Sequence, residues 1–103
     1  MTAPLPVIIT PNAAEDLTTS WVWLRDRNPK AADDWLAGIR ETISTLGAMP
    51  DAHPIAPESR DFDLPIRRAL YGKVTRWRIY YVVLNGAVQV LHVRHGRRSD
   101  WQP

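Results

Sequence analysis

The clearest pattern in the chain is a pair of apolar, β-branched runs on either side of Asn85-Gly86. Asn-Gly between two such runs is the strongest short-range signal for a β-hairpin with a two-residue turn. Extending the register outward from this turn pairs Tyr81 with Val90 and Arg78 with Val93. Because successive side chains of a strand alternate between its two faces, the turn also assigns each side chain to a face.

The two faces of this hairpin differ in character. The face expected to cover a core carries Trp77, Ile79, Tyr81, Val83, Val88 and Val90, with His92 and Arg94 at one end. The opposite, open face carries Arg76, Arg78, Tyr80, Val82, Gln89, Leu91, Val93 and His95. On the open face Arg78 and His95 become diagonal neighbours, so cationic side chains gather at one end of it. His92 is interpreted as a structural histidine on the core side.

Two helical patterns precede the hairpin. Their apolar positions recur at helical spacing and are Ala14, Leu17, Trp21 and Leu24, then Ala32, Leu36, Ile39, Ile43 and Leu46. Thr10-Pro11 and Asn28-Pro29 each place a capping residue before a proline that suits the first helical position. Because very few residues join the helices, they are expected to form an antiparallel αα-hairpin. Trp23 lies off the first stripe and is either additional core at the helix seam or an exposed anchor for a partner protein.

Shorter patterns complete the element order. Residues 7–9 and 66–71 are predicted strands, and residues 50–65 form a loop with four prolines. A two-residue turn at Gly72-Lys73 places Arg67 opposite Arg78, with Ile66 and Leu70 toward the core. The order β-α-α-β-β-β predicts a two-layer α+β fold, in which an antiparallel helix hairpin packs on one face of a small, mainly antiparallel sheet.

Length and composition indicate how many domains the chain forms and whether it uses a metal, a cofactor or a membrane. At 103 residues the chain is expected to be a single domain spanning 1–103. It has no cysteine and only three histidines, which lack metal-site spacing, so no metal and no cofactor are expected. No apolar run approaches the ~18 residues needed to span a bilayer, and the first residues lack the charged segment and apolar core that would predict a signal peptide. A cytoplasmic protein without a membrane partner is expected.

The charges are unevenly distributed. Residues 1–59 hold four Lys/Arg against eight Asp/Glu, whereas residues 60–103 hold nine against three. A basic half suggests a polyanion or an acidic partner, although an ordinary solvated basic surface has the same composition.

Several positive charges lie together on the open face, where they do not stabilise the sheet. Like-charge cross-strand neighbours such as Arg67 and Arg78 cost about a few tenths of a kcal/mol each, so a bound anion would explain the cluster. Arginine offers a rigid fork that matches phosphate, and Tyr80 could stack on a base. A solvated cationic face whose aliphatic stems cover the sheet is the alternative.

RNA cleavage would need a base, an acid and stabilisation of developing negative charge. His95 could exchange a proton near neutral pH, and Arg78 could stabilise the charge. Neither a carboxylate nor a lysine is placed on the open face, because Glu58 lies in the loop and Lys73 at a turn. A complete acid–base set is therefore not demonstrated by the sequence.

Several motifs, taken in order, resemble those of the RelE/ParE toxin superfamily. They are Asn28-Pro29 with Ala31-Ala32 and Trp35, then Ile43, Leu46 and Pro50, then residues 76–81 (Arg-Trp-Arg-Ile-Tyr-Tyr), and His95-Gly96-Arg97-Arg98. The resemblance covers nearly the whole chain, and the predicted β-α-α-β-β-β order is similar to the fold of that superfamily.

The resemblance implies the toxin of a bacterial type II toxin–antitoxin module. Such a toxin is held inactive by a cognate antitoxin, and it would meet operator DNA only through that antitoxin. RelE-like members cleave mRNA on the ribosome without a metal, and ParE-like members inhibit DNA gyrase. The antitoxin is expected to bury apolar surface on the helix pair or the sheet edge, with acidic residues near the basic half.

The motifs also indicate residue roles within the superfamily. In the RelE-like pattern Arg78 matches an active-site arginine, and His95, Arg97 or Arg98 match side chains at the end of the last strand. Trp77 replaces the usual tyrosine, and Trp101 stands where RelE-like enzymes often place a catalytic tyrosine. The His-Gly-Arg-Arg ending is more typical of the ParE-like, plasmid-stabilisation branch.

Three functions follow in order of preference. The first is gyrase inhibition that arrests growth; the second is a ribosome-dependent, metal-independent endoribonuclease; the third is a non-toxic nucleic-acid-binding module. The catalytic residues of a nuclease would be Arg78, His95 and Arg97, and the residues expected to bind nucleic acid or the target are Arg67, Arg76, Tyr80, Arg98 and Trp101.

Overall fold

A computed structural model describes residues 3–73 and 76–96 of the chain. The elements are β1 (Val7–Ile9), α1 (Pro11–Arg25), α2 (Pro29–Thr45), a short 3₁₀ helix (Pro57–Asp61), β2 (Arg67–Tyr71), β3 (Trp77–Leu84) and β4 (Ala87–His95). The strands form one sheet in the order β1-β4-β3-β2, in which β1 runs parallel to β4 and the other pairs are antiparallel. The predicted α+β fold and element order are confirmed.

Both predicted helix starts are confirmed. The Thr10 hydroxyl accepts a hydrogen bond from the Ala13 amide at 3.4 Å, and the Asn28 side chain accepts one from the Ala31 amide at 3.1 Å. Each cap is followed by proline at the first helical position. The Thr10 hydroxyl also donates to the Val90 carbonyl at 2.7 Å, which ties the start of α1 to the sheet.

The main core lies between the two helices and one face of the sheet. Its buried members include Ala13, Leu17, Trp35, Ile39, Ile43 and Leu46 from the helical layer, with Ala69, Trp77, Ile79, Tyr81, Val88, Val90 and Val93 from the sheet. Most of these positions were predicted. In α1, however, Ala14 is exposed while Ala13 and Ser20 are buried, so the stripe of this helix is rotated slightly from the predicted one.

The predicted register of the β3–β4 hairpin holds only near its turn. The four pairs from Leu84–Ala87 to Tyr81–Val90 are as predicted, and Asn85 and Gly86 both have positive φ. A β-bulge then inserts Leu91 between Val90 and His92, and the remaining pairs are Tyr80–His92, Ile79–Val93, Arg78–Arg94 and Trp77–His95. The prediction that Arg78 and His95 share one face is therefore wrong.

Burial of apolar side chains explains the bulge. Without the extra residue, alternation would have placed His92 and Arg94 in the core and Val93 outside it; with it, Val93 lies opposite Ile79 and is 1% exposed. The Asp16 carboxylate of α1 accepts hydrogen bonds from the Val93 amide and the His92 ring, both at 2.9 Å. His92 is thus held at the edge of β4, opposite Tyr80 rather than Ile79.

The predicted register of β2 is also wrong. Ala69 lies opposite Ile79 and Tyr71 opposite Trp77, a register that a two-residue turn at Gly72-Lys73 does not allow. Ala69 is consequently buried in the main core, whereas Leu70, which was predicted to be in the core, is 43% exposed.

The sheet face away from the helices is not open. Residues 54–66, including the 3₁₀ helix, fold back over this face. Ala56 and Ile66 of the segment and Tyr80 of β3 form a second apolar cluster, against which Phe62 and Leu91 pack. The Ser59 hydroxyl fixes this segment, because it donates to the Leu64 carbonyl and accepts from the Ile66 amide, both at 2.9 Å. Tyr80 is 0% exposed, which does not fit the predicted stacking on a base.

Candidate functional site

Arginines gather on the sheet face opposite the helices, but they are not the predicted set. Arg68 lies opposite Tyr80, and Arg78 lies between Leu70 and Arg94 on the two neighbouring strands. Arg78 also donates to the Gly96 carbonyl at 3.4 Å. A cationic cluster was expected here, and of its predicted members only Arg78 lies with Arg68 and Arg94.

Glu58 is a buried carboxylate within this cluster. Its side chain is 2% exposed, accepts a hydrogen bond from the Tyr80 hydroxyl through Oε2, and has Oε1 3.7 Å from Nη1 of Arg68. Burial, followed by the bond to Glu58, raises the pKa of the Tyr80 phenol above its ordinary value, although Arg78 and Arg68 act in the opposite direction. At neutral pH Tyr80 is a neutral donor, and Glu58 offsets part of the arginine charge.

Two of the remaining predicted site residues, Arg67 and Arg76, lie within the described part of the chain. Arg67 lies on the helix side opposite Tyr81, where it donates to the His53 carbonyl at 2.7 Å and pairs with Asp51 at 3.5 Å. Its predicted position opposite Arg78 is therefore wrong. Arg76 is exposed immediately before β3. Arg97, Arg98 and Trp101 lie outside the described residues.

His95 lies in an aromatic pocket on the helix side of the sheet. Its ring meets Trp77 edge-on, with 4.9 Å between ring centroids, and Trp77 in turn packs against Trp35 at 4.8 Å. The pocket has a volume of about 240 Å³ and is lined by Thr19, Ser20, Trp23, Trp77 and His95.

Trp23 forms the outer wall of this pocket. Its side chain is 52% exposed, so the interpretation as core at the helix seam is wrong. The guanidinium of Arg27 lies over its ring with 3.7 Å between Cζ and the ring centroid, and Nη1 donates to the Trp23 carbonyl at 2.8 Å.

An apolar groove runs between β1 and the two helices. Two adjoining cavities of about 390 and 280 Å³ share Ile9 and Arg40 in their walls, and the larger also touches Leu17, Trp21 and Leu36. Strand β1 is an edge strand of the described sheet, so its outer backbone groups face away from the other strands.

The described ranges contain neither a cluster of metal ligands nor a membrane-spanning helix. No three His, Asp or Glu side chains there come together in a way that could hold a metal ion. No helix of residues 3–73 or 76–96 is both long enough and apolar enough to cross a membrane.

The sequence alone did not predict that Glu58, Arg68 and Arg94 lie with Arg78 on one face of the sheet. The spacing of Val88, Val90 and Val93 did carry a signal for the bulge, because it breaks the period of two by one residue. The position of Glu58 has no comparable signal, since the loop's path over the sheet depends on tertiary packing.

Comparison with protein-family models identifies the family to which the chain is similar. A family model described as the ParE toxin of the type II toxin–antitoxin system, parDE, matches residues 7–100. No individual curated protein matches the chain. The matched range includes every helix and strand described above.

Proposed function

The chain belongs to the ParE toxin family of type II toxin–antitoxin systems, and from that premise we propose that it arrests growth by binding and inhibiting DNA gyrase. Membership of the family implies a cognate antitoxin as a partner. The two candidate modes of action are inhibition of gyrase through protein–protein contacts and cleavage of RNA.

The separation of Arg78 from His95 is the observation that carries the proposal. The bulge at Leu91 places them on opposite faces of the sheet, so the two side chains do not face one common phosphate site. Proton transfer in catalysis requires the acid or base to lie within hydrogen-bond reach of the reacting group. Inhibition through protein contacts requires no such set.

The arginine cluster favours RNA cleavage as the second candidate. Arg68, Arg78 and Arg94 could stabilise a phosphate, and Glu58 adds the carboxylate that the sequence did not place. However, Glu58 and Tyr80 are both buried and bonded to each other. A nuclease mechanism would need residues 54–66 to move before either group met a substrate.

A pair of assays with the purified protein and with expressing cells separates the two targets. We expect the wild-type protein to inhibit DNA supercoiling by gyrase, and expression to arrest growth without new 5′ ends inside translated messages. Arg78→Ala should keep both effects, as should the control Arg60→Ala at an exposed position of the 3₁₀ helix. Circular dichroism checks that both variants fold.

Two results would contradict the proposal. Cleavage within the codons of translated messages, lost in Arg78→Ala and kept in Arg60→Ala, would identify a ribonuclease. Expression of the wild-type chain at good yield without growth arrest would remove both toxin mechanisms and leave a non-toxic binding module.

The groove beside β1 is the surface that we propose for the antitoxin. An apolar segment could fill the groove between the helices, and an extended segment could pair with the outer edge of β1. Arg40 lines both cavities and could bind an acidic residue of the antitoxin. This surface is distinct from the pocket at Trp23, which has no lining residue in common with it.

A further inference from the structure

We propose that Trp23, Arg27 and the adjoining aromatic pocket form the surface through which the toxin docks on its target protein. The occupant is an acidic segment of the target that carries one large apolar side chain. This inference rests on the proposed function, which makes the target a protein rather than RNA.

The exposure of Trp23 is the first observation. Among the tryptophans of the described residues, Trp35 and Trp77 are buried and Trp21 is half-buried, whereas Trp23 is 52% exposed. Tryptophan and arginine dominate the small sets of residues that carry most of the free energy of protein–protein binding. Arg27 follows Trp23 by four residues, in the turn after α1, and the two side chains are already in contact.

The geometry of Arg27 indicates an acidic partner. Its guanidinium stacks on Trp23 and uses Nη1 to bond the Trp23 carbonyl, and no carboxylate of the described residues forms an ion pair with it. A guanidinium has five N–H groups, so several can still donate to a carboxylate. Because the stack already restrains both side chains, binding orders them at little further entropic cost.

The pocket beside Trp23 is where the large apolar side chain of the target segment would bind. At about 240 Å³ it has room for one large side chain, with Trp23 and Trp77 as aromatic walls and the Thr19 and Ser20 side chains along α1. A nucleobase is the competing occupant, since bases stack on aromatic side chains. Arg27 already covers one face of the Trp23 ring, which leaves a base fewer open surfaces for stacking.

Paired variants test the surface. Trp23→Ala and Arg27→Glu are compared with Met49→Ala, another exposed apolar residue, and Arg60→Glu, at an exposed position of the 3₁₀ helix. We expect Trp23→Ala and Arg27→Glu to raise the concentration needed to inhibit gyrase by roughly tenfold or more, as at other tryptophan and arginine hot spots. The two controls should inhibit like the wild type. All four should bind the antitoxin normally, which also shows that they fold.

The readouts separate failure of the docking surface from failure of the proposed target. Wild-type inhibition by Trp23→Ala would overturn the inference, as would loss of antitoxin binding with inhibition intact. Binding of a single-stranded oligonucleotide that Trp23→Ala abolishes would also overturn it, in favour of a nucleic-acid site. If the wild-type chain arrests growth without inhibiting gyrase, gyrase is not the target. The docking surface is then tested by growth arrest: weaker arrest by Trp23→Ala than by the wild type supports it, and undiminished arrest overturns it.

Discussion

Tyr80 and Glu58 show how strongly a single hydroxyl can matter inside this fold. Glu58 is buried, its Oε1 has no hydrogen-bond partner, and its Oε2 depends on the Tyr80 hydroxyl. Oε1 lies 3.7 Å from Nη1 of Arg68, and burial makes the loss of the remaining hydrogen bond at Oε2 costly. The bond between Tyr80 and Glu58 therefore adds to the apolar contacts and backbone bonds that hold residues 54–66 on the sheet.

Tyr80→Phe is expected to destabilise the protein by about 1–3 kcal/mol at neutral pH, because it leaves a buried carboxylate oxygen unpaired. Tyr81→Phe is the matched control, since Tyr81 is equally buried but its hydroxyl donates to the Pro50 carbonyl at 2.7 Å. Losing a neutral partner of this kind should cost about 0.5–1.5 kcal/mol. Guanidinium unfolding measures both; a loss for Tyr80→Phe no larger than for Tyr81→Phe would contradict the role given to Glu58.

The tyrosines also predict a loss of stability in alkaline solution. Burial is the largest cause that raises the pKa of Tyr80 and of Tyr81 above the ordinary value of 10.0. Above that pH the unfolded chain loses these phenolic protons while the folded protein keeps them, so stability falls with rising pH. Below pH 10 this contribution is fully present. Unfolding curves between pH 8 and 11 should show the decline, with a smaller slope for Tyr80→Phe.

At the scale of elements, the start of α1 does more than cap a helix. Besides accepting from Ala13, the Thr10 hydroxyl donates to the Val90 carbonyl, and the Thr10 amide bonds the same carbonyl at 3.1 Å. Asn28 caps α2 by one bond to the Ala31 amide. Thr10 therefore joins α1 to β4, whereas the bond made by Asn28 is local to α2.

Thr10→Ala is expected to lower the free energy of unfolding more than Asn28→Ala, which should cost about 1 kcal/mol, the usual loss at a helix cap. Thr10→Ser keeps a hydroxyl and should recover most of the loss. Thermal and guanidinium unfolding of the three variants measure the difference. Equal losses for the two alanine variants would show that the bond to Val90 adds nothing to stability.

Local chemistry explains which elements the sequence could predict. The caps at Thr10 and Asn28 and the Asn85-Gly86 turn depend on neighbouring residues, and all three formed as predicted. The bulge at Leu91 and the register of β2 depend on which side chains reach the core. A one-residue error there moved His95 and Arg94 to the opposite faces, so the candidate site was predicted less well than the fold.

At the scale of the whole molecule, the two proposed binding surfaces lie on different sides of α1. The groove beside β1 involves Leu17 and Trp21, and the aromatic pocket involves Thr19, Ser20 and Trp23. Side chains two positions apart on a helix, such as those of Trp21 and Trp23, point to different sides of it, so α1 can contribute to both surfaces. An antitoxin in the groove would leave the Trp23 surface uncovered unless another of its segments extends across the helix.

Arg40→Glu tests the groove. The change is expected to weaken antitoxin binding by roughly tenfold, because a charge that attracts an acidic partner becomes one that repels it. Gyrase inhibition and growth arrest should persist, so co-expressed antitoxin would rescue the cells less well. Lys30→Glu, at an exposed position near the start of α2, is the control. Calorimetric titration with the antitoxin gives the affinities; an unchanged affinity for Arg40→Glu would exclude this role.

The position of β4 within the sheet has a consequence for how the toxin is made. This strand lies between β1 and β3, although it is the last described strand to be synthesised. Until it emerges from the ribosome, β1 has no neighbour with which to pair, and the valines that complete the core are missing. The nascent chain therefore cannot reach its harmful form early in translation. We expect a partner that needs the groove beside β1 to bind only after β4 has joined the sheet.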